Sequence, residues 1–97
     1  MTKKKILELL AANSDEMIRR FGVKHLSLFG SAARDEMRQD SDVDVLVEFE
    51  RPATFDRYVG LNEYLEALLQ RRVDVVTEAG LKPRARLLVE KDRIRVA

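Results

Sequence analysis

The sequence predicts an α+β fold, a small mixed β-sheet backed by helices on one face, in a single domain over residues 1–97. Three observations carry this reading. Apolar spacing alternates along the chain in the order α, β, α, β, α, β, α, with a last short strand or docked tail at the end. Two valine-rich runs of strand length, Asp42–Phe49 and Arg72–Thr77, carry aspartates although aspartate is a poor strand residue. Between them Leu61, Tyr64, Leu65, Leu68 and Leu69 fall at i, i+3, i+4, i+7 and i+8, a helical stripe that needs an apolar face to cover it.

The elements follow in order. Ile6, Leu9 and Leu10 have helical spacing over Lys3–Ala12, and Thr2 is placed as an N-cap. Asn13 followed by Glu16 matches a capping box for a second helix holding Met17, Ile18 and Phe21, which Gly22 stops. One helix kinked near Asn13 fits the same residues. Lys24–Phe29 reads as a strand, with Leu26 and Leu28 on one side and His25, Ser27 and Phe29 on the other. Gly30 breaks it, and Ser31 can cap a helix running to about Met37. Arg38–Ser41 is a polar loop. In the strand Asp42–Phe49, alternation puts Asp42 and Asp44 on one face and Val43, Val45 and Val47 on the other. After the turn Arg51–Ala53, Thr54 caps a helix from Phe55 to Gln70, in which Gly60 is a mild defect. The third strand sets Val73, Val75 and Val76 around Asp74. Ala79-Gly80 is a turn, Pro83 suits the first turn of a short helix carrying Ala85, Leu88 and Val89, and Ile94 and Val96 alternate at the end.

Composition narrows the function. With 45% hydrophobic and 36% charged residues the chain reads as globular with a heavily charged surface. A formal net charge of +1 gives no global basic field, and the six aromatic residues form no stacking row, so direct nucleic-acid binding is not expected. Tyr64 belongs to the leucine stripe, and the lone His25 reads as a structural or solvated residue. The absence of cysteine excludes disulfides and thiolate metal sites and fits a reducing, cytoplasmic setting. The apolar run Ile6–Ala12 contains Glu8 and no cleavage site, so it is not a signal peptide, and no stretch is long enough to span a membrane. Charge is uneven. Asp40, Asp42, Asp44, Glu48, Glu50 and Asp56 face Arg51 alone, whereas the last segment from Arg71 carries eight bases and four acids. Such runs are commonly solvated faces. They also fit a cation-binding middle and a basic end that meets phosphates or an acidic partner.

Three pieces carry chemistry. Gly30-Ser31 leaves a strand and enters a helix; alone it reads as a plain turn with an N-cap, and it also offers a phosphate site to which the free amides and the Ser31 hydroxyl donate, with Arg34 one turn on. Asp42 and Asp44 repel one another unless a divalent cation sits between them. Mg²⁺ takes carboxylate oxygens together with substrate phosphates, and such a pair can bridge one or two ions. Asp74, again an acid among valines, completes a three-carboxylate site if its strand lies beside Asp42–Phe49, and is placed to help accept the proton of an attacking hydroxyl.

Gly30-Ser31, Asp42-Val43-Asp44 and Asp74, in this order, resemble the DNA polymerase beta-type nucleotidyltransferase superfamily. More narrowly, Leu28-Phe29-Gly30-Ser31-Ala32-Ala33-Arg34 with Ser41-Asp42-Val43-Asp44-Val45-Leu46-Val47-Glu48 is similar to the minimal nucleotidyltransferases, the MNT proteins. The likeness extends to Phe21-Gly22-Val23, Val73-Asp74-Val75-Val76-Thr77 and Leu81-Lys82-Pro83. It implies a palm-like sheet and Mg²⁺-dependent transfer of a nucleoside monophosphate from a triphosphate such as ATP. It further implies an antitoxin of a HEPN/MNT toxin–antitoxin pair that transfers AMP to a tyrosine hydroxyl of a HEPN ribonuclease toxin. By position, Gly30 and Ser31 hold the triphosphate, and Asp42, Asp44 and Asp74 are the metal-binding and catalytic set, with two ions expected. Arg34 as a phosphate contact comes from helix geometry instead. One departure is Asp35, where the family usually has Gly, which puts negative charge near the expected phosphate site. Two other readings fit the sequence. One is a catalytically weak antitoxin that neutralises its partner by covering it. The other is an enzyme that modifies a small molecule such as an antibiotic, although so short a chain has little room for an acceptor domain.

Overall fold

The computed structural model describes residues 1–97. Its elements are α1 (Lys3–Ala12), α2 (Ser14–Phe21), β1 (Val23–Phe29), α3 (Gly30–Ala33), β2 (Val43–Phe49), α4 (Phe55–Leu69), β3 (Val73–Thr77), α5 (Pro83–Asp92) and β4 (Ile94–Arg95). The sheet is mixed, in the order β3-β2-β1-β4. β1 is antiparallel to β2 and β4, while β2 and β3 are parallel. A parallel pair needs a long crossover, and α4 supplies it.

Alternation decides which face is dry. Leu26, Leu28, Val43, Val45, Val47, Val73 and Val75 point to one side and meet Ile6 and Leu10 of α1, Met17 and Phe21 of α2, and Leu61, Leu65 and Leu69 of α4 in the main core. The leucine stripe of α4 is therefore the cover the strands require. Tyr58 also donates its hydroxyl to Val75 O at 2.7 Å, satisfying a carbonyl of the edge strand. Tyr64 packs against Phe21 at a ring-centroid distance of 5.5 Å, as the stripe predicts. His25 is half-buried, beside Arg95 and the carbonyl of Ala97.

The opposite face carries the acids and is only partly covered. Ser27 and Leu46 stand opposite each other there and are both buried. Helix α5 reaches this face: Arg93, just past its end, donates from Nε to Ser27 Oγ at 3.0 Å. Arg93 also pairs with Glu78 at 3.1 Å and Glu90 at 2.7 Å. Three helices thus back the sheet, and a fourth crosses part of its functional side.

Three local expectations need correction. Asn13 and Glu16 form no capping box. The Asn13 side chain instead donates to Leu9 O at 2.8 Å, closing the end of α1, and Glu16 pairs with Arg19 and Arg20. The structure has two helices at this point, and Gly22 ends the second at φ 69° as expected. Helix α3 is a single turn rather than a helix to Met37, because Asp35 turns left-handed at φ 56° and ends it. In α5 only Val89 is buried, while Leu87 and Leu88 are exposed.

Candidate active site

The end of β1 and the starts of β2 and β3 bring the expected residues to one place. The register sets Phe29 opposite Asp44 and Asp44 opposite Asp74, so the residue before Gly30 and two of the acids form one row across three strands. Their valine neighbours Val43, Val45, Val73 and Val75 are buried, which leaves Asp44 and Asp74 on the other face. Asp42 lies one residue before the first ladder pair, Val43 with Val73, and is exposed. Asp44 is half-buried. Burial, then the negative charges of Asp74 and Asp42, push the Asp44 carboxyl up to about 6, against a smaller opposing pull from Arg34.

Gly30 is required here on two grounds. Its φ is 71°, a left-handed conformation that side chains disfavour. A Cβ built on it would also overlap Asp44 Oδ2. The missing side chain lets the Asp44 carboxylate lie directly against the backbone that starts α3.

Ser31 follows inside this single turn and does not cap it, since the N-cap is Phe29 and no side-chain bond is made. Its hydroxyl has no protein partner, and the residue is half-buried beside the row of acids. With one turn the macrodipole is small. A phosphate would be held here by the unpaired first amides and the hydroxyl.

Arg34 is beside the site but already paired. Nη1 donates to Asp92 Oδ2 at 2.6 Å, and Nε lies 3.4 Å from Glu36 Oε2. These bonds, the one to Asp92 first, raise its guanidinium above the ordinary value. Arg34 therefore links α3 to α5 while its positive charge still reaches Asp44. Sequence reasoning does not single out Asp92; its one signal is that it stands as an acid within the basic C-terminal run.

Asp35 points elsewhere. It occupies the left-handed conformation at φ 56°, and its Oδ1 accepts the backbone N–H of Lys3 at 3.0 Å. Asp35, where the resemblance leads one to expect glycine, thus adopts the conformation glycine adopts readily, and its carboxylate caps the first turn of α1.

Two surface hollows border β2 and β3. The larger, about 850 Å³, is lined by Val47–Ala53, Thr77–Ala79 and Arg86 at the far end of the strands and contains none of the expected site residues. The smaller, about 320 Å³, is wholly polar and is bounded by residues 39–42 and 70–72, including Asp42. No three acidic or histidine side chains converge into a ready-made metal cage. The donor set still fits Mg²⁺. The oxygens are hard, Asp44 is poorly accommodated as a bare anion, and an ion that keeps waters and takes phosphate oxygens needs only one or two carboxylates from the protein.

Residues 11–96 match the family described as "Nucleotidyltransferase domain". Over 82 residues the chain is 45% identical to "Protein adenylyltransferase MntA" of Thermococcus cleftensis, an overlap of 84% of this chain and 83% of that protein. A solved structure provisionally assigned as a minimal nucleotidyltransferase is 39% identical and superposes with a TM-score of 0.82, covering 97% of this chain and 95% of the other. A second, described as a tri-AMPylated Shewanella oneidensis HEPN toxin in complex with MNT antitoxin, superposes with a TM-score of 0.69 over 94% of this chain and 71% of the other. At 17% identity that likeness is one of fold.

Proposed function

The chain belongs to the nucleotidyltransferase domain family and is a nucleotidyltransferase, and from that premise we propose that it is a Mg²⁺-dependent protein adenylyltransferase acting as the antitoxin of a HEPN toxin. The observation that carries this reading is the row of Asp44 and Asp74 in register beside Gly30. It pairs a place for a triphosphate with a place for cations, which is what adenylyl transfer requires. The adenylyltransferase name of the Thermococcus relative supports ATP as donor, and the HEPN complex of the structural neighbour supports the partner class.

Each residue takes a role from its position. Gly30 and Ser31 would hold the triphosphate through backbone amides and the free hydroxyl. Arg34, released in part from Asp92, adds a positive charge at the same anion. Asp42, Asp44 and Asp74 would hold Mg²⁺, which supplies charge neutralisation of the triphosphate and of the leaving pyrophosphate. The acceptor tyrosine oxygen bonds to the α-phosphorus as the bond from that phosphorus to the bridging oxygen breaks. Pyrophosphate leaves with the electron pair, and the phenolic proton passes to Asp74, the exposed member of the row.

The setting is proposed to be cytoplasmic; no helix is long and apolar enough to cross a membrane. The reading as a catalytically weak antitoxin takes its motive from Asp35 and from the basic end of the chain. The first motive weakens, because Asp35 is bonded to Lys3 and serves the end of α1. Incubating the chain with Mg²⁺, ATP and its HEPN partner, then weighing the partner, tests the proposal. A gain of one or more AMP masses that Asp42→Asn abolishes is expected; an unchanged partner mass contradicts it.

A further inference from the structure

We propose that Arg71 is a positioning residue for Asp42, so that a residue which touches neither nucleotide nor cation sets the strength of cation binding. This rests on the reading of Asp42 as a cation ligand given above. The three acids are not held alike. Asp44 and Asp74 sit inside the ladder, each fixed by its strand partners. Asp42 precedes the ladder, so the pairing of β2 with β3 fixes it only through its neighbour Val43, whose N–H donates to Arg72 O at 3.0 Å. On its other side the backbone depends on the loop 38–41.

That loop is wrapped around Arg71. The two N–H groups of a single nitrogen, Nη2, are shared among three carbonyls, Arg38 O at 2.8 Å, Gln39 O at 3.1 Å and Ser41 O at 2.9 Å. The loop closes on itself as well: Ser41 Oγ accepts the N–H of Arg38 at 2.9 Å, and the Ser41 N–H donates to Arg38 O at 3.1 Å. Three carbonyl dipoles therefore point at one positive charge, and charge-assisted bonds of this kind are roughly twice as strong as neutral ones. The last of the three carbonyls belongs to the residue immediately before Asp42. Removing the guanidinium takes this donor from the Gln39 and Ser41 carbonyls and leaves Arg38 O with the Ser41 N–H alone, and the loop relaxes with Asp42 at its end.

The next residue provides an internal contrast. Arg72 is exposed, and its Nε stands 4.0 Å from Asp42 Oδ1, a solvent-screened ion pair of little worth. Arg71 is half-buried and acts on the backbone. Two adjacent arginines thus differ in kind, and substitution separates them.

The test uses Mn²⁺ alone as the probe, with free Mn²⁺ read by electron paramagnetic resonance on the purified chain, alongside thermal melting in chelator. Residues that orient a ligand commonly change metal affinity 10–100-fold when lost. Arg71→Met is expected to weaken Mn²⁺ binding by about tenfold or more, and to raise the Mg²⁺ concentration that half-saturates AMP transfer in step. Arg71→Lys, whose ammonium offers three N–H donors, recovers most of the affinity, and Arg72→Met changes it little. Arg71→Met binding Mn²⁺ as tightly as the unmodified chain overturns the proposal, whatever its melting temperature. Should Arg71→Met fail to fold, Ser41→Ala, which opens the same loop, must lower Mn²⁺ affinity, and unchanged affinity there overturns the proposal equally. If the unmodified chain binds no Mn²⁺, the reading of the acids as cation ligands fails first and this proposal falls with it. Retained binding in the unmodified chain that Asp44→Asn removes separates the two cases.

Discussion

Asp44 and Asp74 stand directly opposite each other on the parallel strands β2 and β3, with Gly30 pressed against the Asp44 carboxylate from the third side. Adjacent strands run about 4.8 Å apart. Like charges on paired strands, one of them half-buried, disfavour full ionisation, and a cation relieves both.

The pH dependence of the metal-free protein follows with a definite sign. The Asp44 carboxyl rises from 3.8 to about 6 on folding, so between those values the native state holds a proton that the unfolded chain has lost. Stability measured in chelator therefore falls as pH rises from about 4 to about 6 and levels above. Each pKa unit is worth about 1.36 kcal/mol; discounted for solvent screening, the loss is on the order of 1–2 kcal/mol. Asp44→Asn removes this dependence, melts higher than the unmodified chain in chelator at pH 7, and transfers no AMP. Urea unfolding at a series of pH values measures it.

Gly30→Ala meets two penalties. The left-handed φ costs about 1–2 kcal/mol for a residue with a side chain, and the new methyl displaces the Asp44 carboxylate. The variant is expected to fold with a lowered melting temperature and to lose AMP transfer. A variant with unaltered turnover would show that the contact between Gly30 and Asp44 is dispensable.

Ser31→Ala should separate binding from stability. The hydroxyl has no partner within the protein, so melting in the absence of nucleotide stays within about 0.5 kcal/mol of the unmodified chain. A lost hydrogen bond to a charged phosphate is worth roughly 1.5–3 kcal/mol, so the KM for ATP rises by about tenfold or more. Steady-state kinetics alongside a melting curve decide it.

Asp35 gives a prediction in the other direction. Asp35→Gly relieves the left-handed backbone but gives up the bond to the Lys3 amide, two effects of about 1 kcal/mol each, so stability stays nearly constant. Asp35→Ala loses the bond without the relief and is destabilised by roughly 1–2 kcal/mol. Both retain AMP transfer. A gain in ATP affinity on Asp35→Gly would instead place that carboxylate at the phosphate site.

These contrasts show where the sequence is informative. The valine runs and the α4 stripe are legible because alternation and helical spacing are local signals, and those signals alone assign Asp44 and Asp74 to strands; Asp42, expected in the second strand, falls one residue before it. Their mutual register is not legible; pairing between Asp44 and Asp74 depends on the crossover through α4. Helix α3 reads too long because nothing local says that Asp35 turns left-handed. The capping box fails at Asn13 because Leu9 O, one turn back, competes for the same side chain. The roles of Asp92 and Arg71 rest on contacts 58 and 30–33 residues distant in the chain, beyond any spacing rule.

The most direct measurement is the intact mass of the HEPN partner after incubation with this chain, Mg²⁺ and ATP, run in parallel with Asp74→Asn. A mass gain of whole AMP units is expected with the unmodified chain and none with the variant, while both chains melt cooperatively. An equal gain with Asp74→Asn would remove the Asp44–Asp74 row from the chemistry, and no gain with the unmodified chain would contradict the adenylyltransferase assignment itself.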